Sequence, residues 1–211
     1  MNPENPVVQL CAQGMQAEAE GRETDAHALF RRAWESAADD YEACVAAHYL
    51  ARHQPTPEET LHWNQECLDR ADRVADDRVK GFHASLHLNM AKAHQDLHHP
   101  DQARAHYERA AAHLDDLPPG PYVDAIRFAV ADGLRTTATP AEGPLTDLIS
   151  RWCARGDLRA LALVLPPYLG DLGTDEDRTR LTTALHMVHA GRLLPRDEQR
   201  ALGRVLASPA A

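Results

Sequence analysis

Aromatic side chains are scarce in this chain, three Trp, five Tyr and three Phe among 211 residues, and β-branched residues rarely gather into runs. A sheet core is built from such residues, so the shortage points to an all-helical protein rich in Ala, Leu, Arg and Glu. Lysine is nearly absent, at Lys80 and Lys92 only, while arginine is common. That bias fits a GC-rich genome and makes a bacterial source the expectation. Positive charge is in deficit overall, with 22 Lys and Arg against 32 Asp and Glu and a net charge of −10. A phosphate backbone needs a positive surface, so non-specific nucleic-acid binding is not expected.

Other absences narrow the field further. No uncharged apolar stretch approaches the roughly 18 residues of a membrane span. Met1 to Pro6 has no basic region followed by an apolar run, so no signal peptide is expected. Cys11, Cys44, Cys67 and Cys153 are scattered, with no CxxC pair. They read as reduced, mostly buried small residues, hence a cytoplasmic protein. GxSxG, HExxH, GxxxxGKS/T and GxGxxG are all missing. No catalytic residue, metal site or cofactor is therefore assigned.

What is present is a repeated grammar. The segment Ala103 to Ala111 has a small residue at Ala103, a bulky one at Tyr107 and a small one at Ala110. The same spacing recurs at Ala26, Phe30 and Ala33, and at Thr60, Asn64 and Cys67. Steps of four and then three keep each trio on one helical stripe. The small residues let a second helix approach, and the larger one fills the notch beside them. Ala26 to Thr60 is 34 residues, and Thr60 to Ala103 is 43. The nine-residue excess falls around Asp69 to Lys80 and implies a lengthened second helix in the middle copy.

A helical hairpin repeating every 34 residues resembles the tetratricopeptide repeat family. Leu10, Gly14, Gly21, Ala26, Phe30 and Ala33 match the family's helix-turn-helix positions in the first copy, and Ala91, Ala103, Tyr107 and Ala110 match in the third. His87, His94 and Asn64 stand where the family usually has aromatics. The resemblance covers about residues 7–116. It implies a right-handed α-solenoid whose first helices line a concave groove for an extended peptide or a partner helix. By register, the groove would include Val8, Cys11, Met15, Glu42, Val45, Tyr49, Arg52, Ser85, Leu88, Lys92 and Gln95. Tyr49, Arg52 and Lys92 are the leading candidates for direct contact with a partner, joined by Glu42 and Gln95. The family's chaperone-binding members clamp a terminal carboxylate with lysines and asparagines. Arg52 and Lys92 are present here without the asparagines, so that ligand is not expected.

Punctuation places the helices. Gly21 closes the first, Thr24 and Asp25 open the second, and Asp39-Asp40 starts the third. Thr56, Pro57 and Glu59 form a capping box for the fourth, which runs to about Ala75. The fifth covers about 78–97, and His99-Pro100-Asp101 turns the chain into the sixth. Beyond Pro118-Pro119-Gly120-Pro121, an amphipathic helix at 122–135 suits the extra helix that covers the open end of an array. Residues 7–135 then form the repeat array, 136–144 a linker, and 145–207 a C-terminal helical unit with helices at about 145–155, 157–169, 175–190 and 196–207. Pro166-Pro167 should bend or end the second of these. Residues 208–211 read as a frayed tail.

Two polar clusters merit weighing. His83, His87, His94 and His98 share one face of the fifth helix, and two pairs have the i, i+4 spacing that can chelate a transition metal. His87 and His94, however, lie about two turns or roughly 10 Å apart, too far for one ion, and packing between helices explains both. Cys44, His48, His62 and Cys67 could converge between the third and fourth helices. Cys67 occupies the slot of Ala33 and Ala110, so a buried thiol accounts for it. The expectation is a non-catalytic adaptor or assembly factor for a protein or peptide partner, with no nucleic acid and no membrane. A ligand- or peptide-responsive regulatory sensor is the alternative, and a histidine-based metal protein or enzyme the last.

Overall fold

The computed structural model describes residues 3–74, 76–137 and 143–207. Among these the chain is all-helical, with no strand. The helices are α1 (Pro6–Ala19), α2 (Glu23–Ser36), α3 (Asp40–Leu50), α4 (Pro57–Val74), α5 (Asp77–Asp96), α6 (Pro100–Ala112), α7 (Pro121–Thr136), α8 (Pro144–Arg155), α9 (Leu158–Leu169), α10 (Asp175–Ala190) and α11 (Arg196–Ala207). The expected fourth-helix end at Ala75, linker positions 138–142 and the tail at 208–211 lie outside the described residues.

Side-chain caps set the starts. Asn5 accepts from the Val7 and Val8 amides, Asp39 from Glu42, Asp76 from Arg78, and Thr174 from Asp177. Each satisfies a donor that the first helical turn leaves orphaned. At α4, the Glu59 amide donates to Thr56 Oγ1 at 3.2 Å as a capping box requires. The Glu59 carboxylate, though, takes the Thr56 hydroxyl rather than its backbone N–H. The excess length of the middle copy is divided. α4 has 18 residues and α5 has 20, against 14, 14, 11 and 13 for α1, α2, α3 and α6. The nine extra residues therefore lengthen both helices that flank the junction, not α4 alone.

Two compact units divide the chain, Met1–Gly133 and Leu134–Ala211, with α7 straddling the division. In the first, consecutive helices pack on each other from α1 to α6, and α3 also touches α1 and α5. The stripe residues other than half-buried Thr60 form its interior. Ala26, Phe30, Ala33, Asn64, Cys67, Ala103 and Ala110 are fully buried and Tyr107 is 2% exposed. Two of the rings fill notches left by glycine. A Cβ on Gly14 would stand 2.3 Å from Phe30 Cε1, and one on Gly133 would stand 2.1 Å from Tyr107 Cζ. Trp34 and Trp63 meet edge to face at 5.1 Å between α2 and α4.

The second unit closes α8 to α11 around Leu148, Ile149, Trp152, Val164, Leu185, Val188 and Leu202. Glu198 is buried within it and fully engaged. It accepts from Trp152 Nε1 at 3.0 Å and from both terminal nitrogens of Arg155 at 2.8 and 2.9 Å. Pro166 and Pro167 fall inside α9, which stops at Leu169. They sit in its last turn, where the Ala162 and Leu163 carbonyls lose their i+4 donors, and the Gly170 amide still closes on the Pro166 carbonyl at 3.0 Å.

Candidate functional site

A cavity of about 690 Å³ in the first unit is lined by Asn5, Val8, Asp39, Tyr41, Glu42, His48, Tyr49, Arg78, Gly81, Phe82, Ser85 and Tyr122. Its wall comes from α1, α3 and α5, with Tyr122 added from the start of α7. Val8, Glu42 and Ser85 are separated by 34 and 43 residues, the same intervals that separate the three stripes. Three register-equivalent positions thus border one space.

The wall is pre-ordered. Glu42 accepts from Asn5 Nδ2 and, at 2.7 Å, from the Ala38 amide. Tyr49 stacks on buried Phe30 with centroids 5.3 Å apart, and burial raises its phenol pKa. Arg78 lies over the Tyr41 ring at 4.6 Å while pairing with Asp76 at 2.8 Å. Ser85 Oγ donates back to the Phe82 carbonyl at 2.9 Å. His48 meets Phe82 edge-on at 5.1 Å, and its Nδ1 is buried without a hydrogen-bond partner. Burial, with the Arg52 charge adding to it, lowers the His48 pKa to about 4, so the ring is neutral at neutral pH. The wall therefore offers aromatic rings, two acidic side chains, one guanidinium and one buried imidazole.

The expected contact residues separate into groups. Tyr49 and Glu42 line this cavity. Arg52 and Lys92 line a second, shallower depression with Gln54, Thr60, Asn89 and Asp96. Arg52 is also drawn into an ion pair with Glu18, its equivalent 34 residues earlier. Gln95 accepts the Tyr107 hydroxyl at 2.7 Å. Cys11, Val45 and Leu88 are buried. These three belong to the core beneath the face because α1, α3 and α5 lie close enough to cover them. Sequence reasoning missed Arg78, His48 and Tyr122. His48 adjoins the register position Tyr49, Arg78 lies seven residues before Ser85 on α5, and Tyr122 comes from a helix outside the repeats.

The histidines form a continuous row between α5 and α6. His83 stacks on His113 at 4.9 Å. The His87 and His106 Nδ1 atoms lie 3.2 Å apart, and His94 stacks on His106 at 5.3 Å and tilts toward His99 at 5.8 Å. His87 and His94 do pack between helices, against other imidazoles. Burial lowers the pKa of His87 and His106 to about 4 each, with the neighbouring charges of His106 and Arg109 respectively as the next cause. His98 is exposed at the end of α5 with φ 58°. The second cluster does not gather. Cys44 and Cys67 touch at 3.5 Å, buried, whereas His62 is exposed against Trp63.

No family model matches this chain, and neither a curated protein nor a solved structure matches it.

Proposed function

We propose that residues 7–135 form a right-handed array of three tetratricopeptide-like helix pairs with α7 as the closing helix, and that the array is a non-catalytic adaptor or assembly factor. It grips an extended segment or a helix of a partner protein along the face of α1, α3 and α5. The observation that carries this reading is the joint presence of Val8, Glu42 and Ser85, one from each pair, on one cavity wall. A repeat array brings equivalent residues to a common face, and a pre-ordered wall lowers the ordering cost of binding. Asp39 and Glu42 beside the Tyr41, Tyr49 and Phe82 rings suit a segment with apolar anchors and basic side chains.

The test is affinity capture from lysate of the source organism with three versions of the chain. These are the wild type, a groove variant (Glu42→Arg with Ser85→Arg), and a control on the exposed face of α6 (Arg104→Glu with Glu108→Arg). A partner held by the wild type and the control and lost by a folded groove variant supports the adaptor. A partner held equally by all three contradicts it.

A sensor is the second reading, favoured by the unpartnered His48 Nδ1 in the wall of a cavity sized for a small ligand. It requires that a small molecule alone raise the melting temperature, whereas the adaptor responds only to its macromolecular partner.

A further inference from the structure

We propose that His83, His87 and His113 form a binding site for one divalent late transition-metal ion, with zinc as the ion to test. The site lies between α5 and α6, outside the groove, and is independent of the adaptor reading. One nitrogen from each ring lies within 4.8 Å of the others, the only such set among the described residues. His83 and His87 stand one turn apart on α5, and His113 comes from the C-terminal end of α6. This differs from the same-helix spacing of His87 and His94, which no single ion can bridge.

Three features distinguish the set from rings that merely stack. First, His113 Nδ1 donates to the Asp116 carboxylate at 2.8 Å. That bond fixes the tautomer and leaves the Nε2 lone pair for a ligand, the carboxylate–histidine arrangement that orients metal ligands elsewhere. Second, His87 Nδ1 is engaged by His106 Nδ1 at 3.2 Å. When His87 donates in that bond, its Nε2 carries the free lone pair. Third, the nitrogens need little displacement once the stacked His83 and His113 rings turn to aim their lone pairs inward. Nitrogens at most 4.8 Å apart surround a point about 2.8 Å from each, and zinc–imidazole bonds are about 2.0–2.1 Å.

The donor set selects the ion class. Three imidazoles suit zinc, cobalt, nickel and copper, whereas magnesium and calcium require oxygen donors. Three protein ligands leave a fourth tetrahedral position for solvent or for a donor from outside the chain. An entry path exists at His113, whose side chain is 36% exposed.

The experiment uses the full-length chain without an affinity tag, stripped with EDTA and titrated at neutral pH. Zinc binding is followed by calorimetry and cobalt binding by visible absorption. The expected result is one tight equivalent, with the intense d–d bands of four-coordinate cobalt and a higher melting temperature that chelator reverses. His83→Gln and His113→Gln, both at partly exposed positions, abolish that equivalent while circular dichroism shows the helices intact. Asp116→Asn, a positioning variant, weakens it about 10–100-fold. His98→Gln leaves it unchanged. Absence of a tight equivalent in the wild type overturns the site. So does undiminished binding in folded His83→Gln and His113→Gln, which would assign the metal to other histidines.

Discussion

Phe30 occupies the space that a side chain on Gly14 would need, with Cε1 2.3 Å from the position of a Cβ there. The ring is fully buried, so it has nowhere to retreat, and α1 and α2 are locked at the distance this contact sets. Tyr107 repeats the relationship with Gly133, 2.1 Å from Cζ.

Gly14→Ala therefore reverses the usual sign of a glycine substitution in a helix. Alanine improves helix propensity by about 1 kcal/mol. Overpacking a filled core costs about 1–3 kcal/mol, and a ring atom at 2.3 Å puts this site at the upper end. The expected net effect is a loss of about 1–2 kcal/mol, read as a lower urea midpoint at unchanged slope. An equal or higher midpoint would show that α1 and α2 can part without cost.

Glu198 is the counterpart in the second unit. Replacing it with alanine leaves the Trp152 indole N–H buried without an acceptor and frees Arg155 from its two-point contact. An orphaned buried donor costs about 1–3 kcal/mol. Glu198→Gln keeps an acceptor for the indole and should lose less. Thermal denaturation of the two variants, with near-ultraviolet circular dichroism reporting on Trp152, should rank wild type above Glu198→Gln and Glu198→Ala lowest. Equal melting temperatures for all three would refute the role given to this carboxylate.

His48 makes stability depend on pH. Its pKa is lowered from 6.5 to about 4 by burial, helped by the Arg52 charge. The groups around it are Tyr49 and Arg52 on its own side, Phe82 of α5 and buried Cys67 of α4, whose thiol burial keeps neutral. The unfolded chain takes up a proton near pH 6.5 and the folded chain only near 4. The contribution of His48 is therefore complete above pH 6.5 and is lost as pH falls from 6.5 toward 4, by up to about 1.4 kcal/mol per pH unit. His48→Gln should flatten the acid side of the stability profile relative to wild type. Parallel profiles from urea titrations across that range would contradict it.

Much of the helix layout could be read directly. Asp39 and Thr56 act locally, so their start signals survive without knowledge of the tertiary structure, whereas the Asn5, Asp76 and Thr174 caps went unread. The 4-and-3 stripes also marked buried residues other than half-buried Thr60, down to Asn64, whose Nδ2 donates to the Thr60 carbonyl while its Oδ1 is buried without a partner. Long-range pairing was less legible. Period alone put Arg52 and Lys92 on the same face as Tyr49, but the ion pair with Glu18 and the shallower depression separate them from the main cavity. His106 and His113 were invisible as partners of the α5 histidines because spacing within one helix says nothing about the helix opposite. The prolines of α9 predict a bend or an end, and the helix stops two residues after Pro167, at Leu169, where its expected bounds place it.

The central claim is that the wall formed by α1, α3 and α5 is where a partner protein lies, and site-specific crosslinking tests it most directly. Tyr122 lines the cavity and is 57% exposed, so p-benzoylphenylalanine at that position preserves an aromatic ring and reaches the occupant. The same probe at Arg104, on the exposed face of α6, serves as control. The account predicts one defined crosslinked protein adduct from position 122 in cells of the source organism, absent from position 104 and lost when Glu42→Arg and Ser85→Arg are added. No adduct from position 122, or the same adduct from both positions, would contradict it.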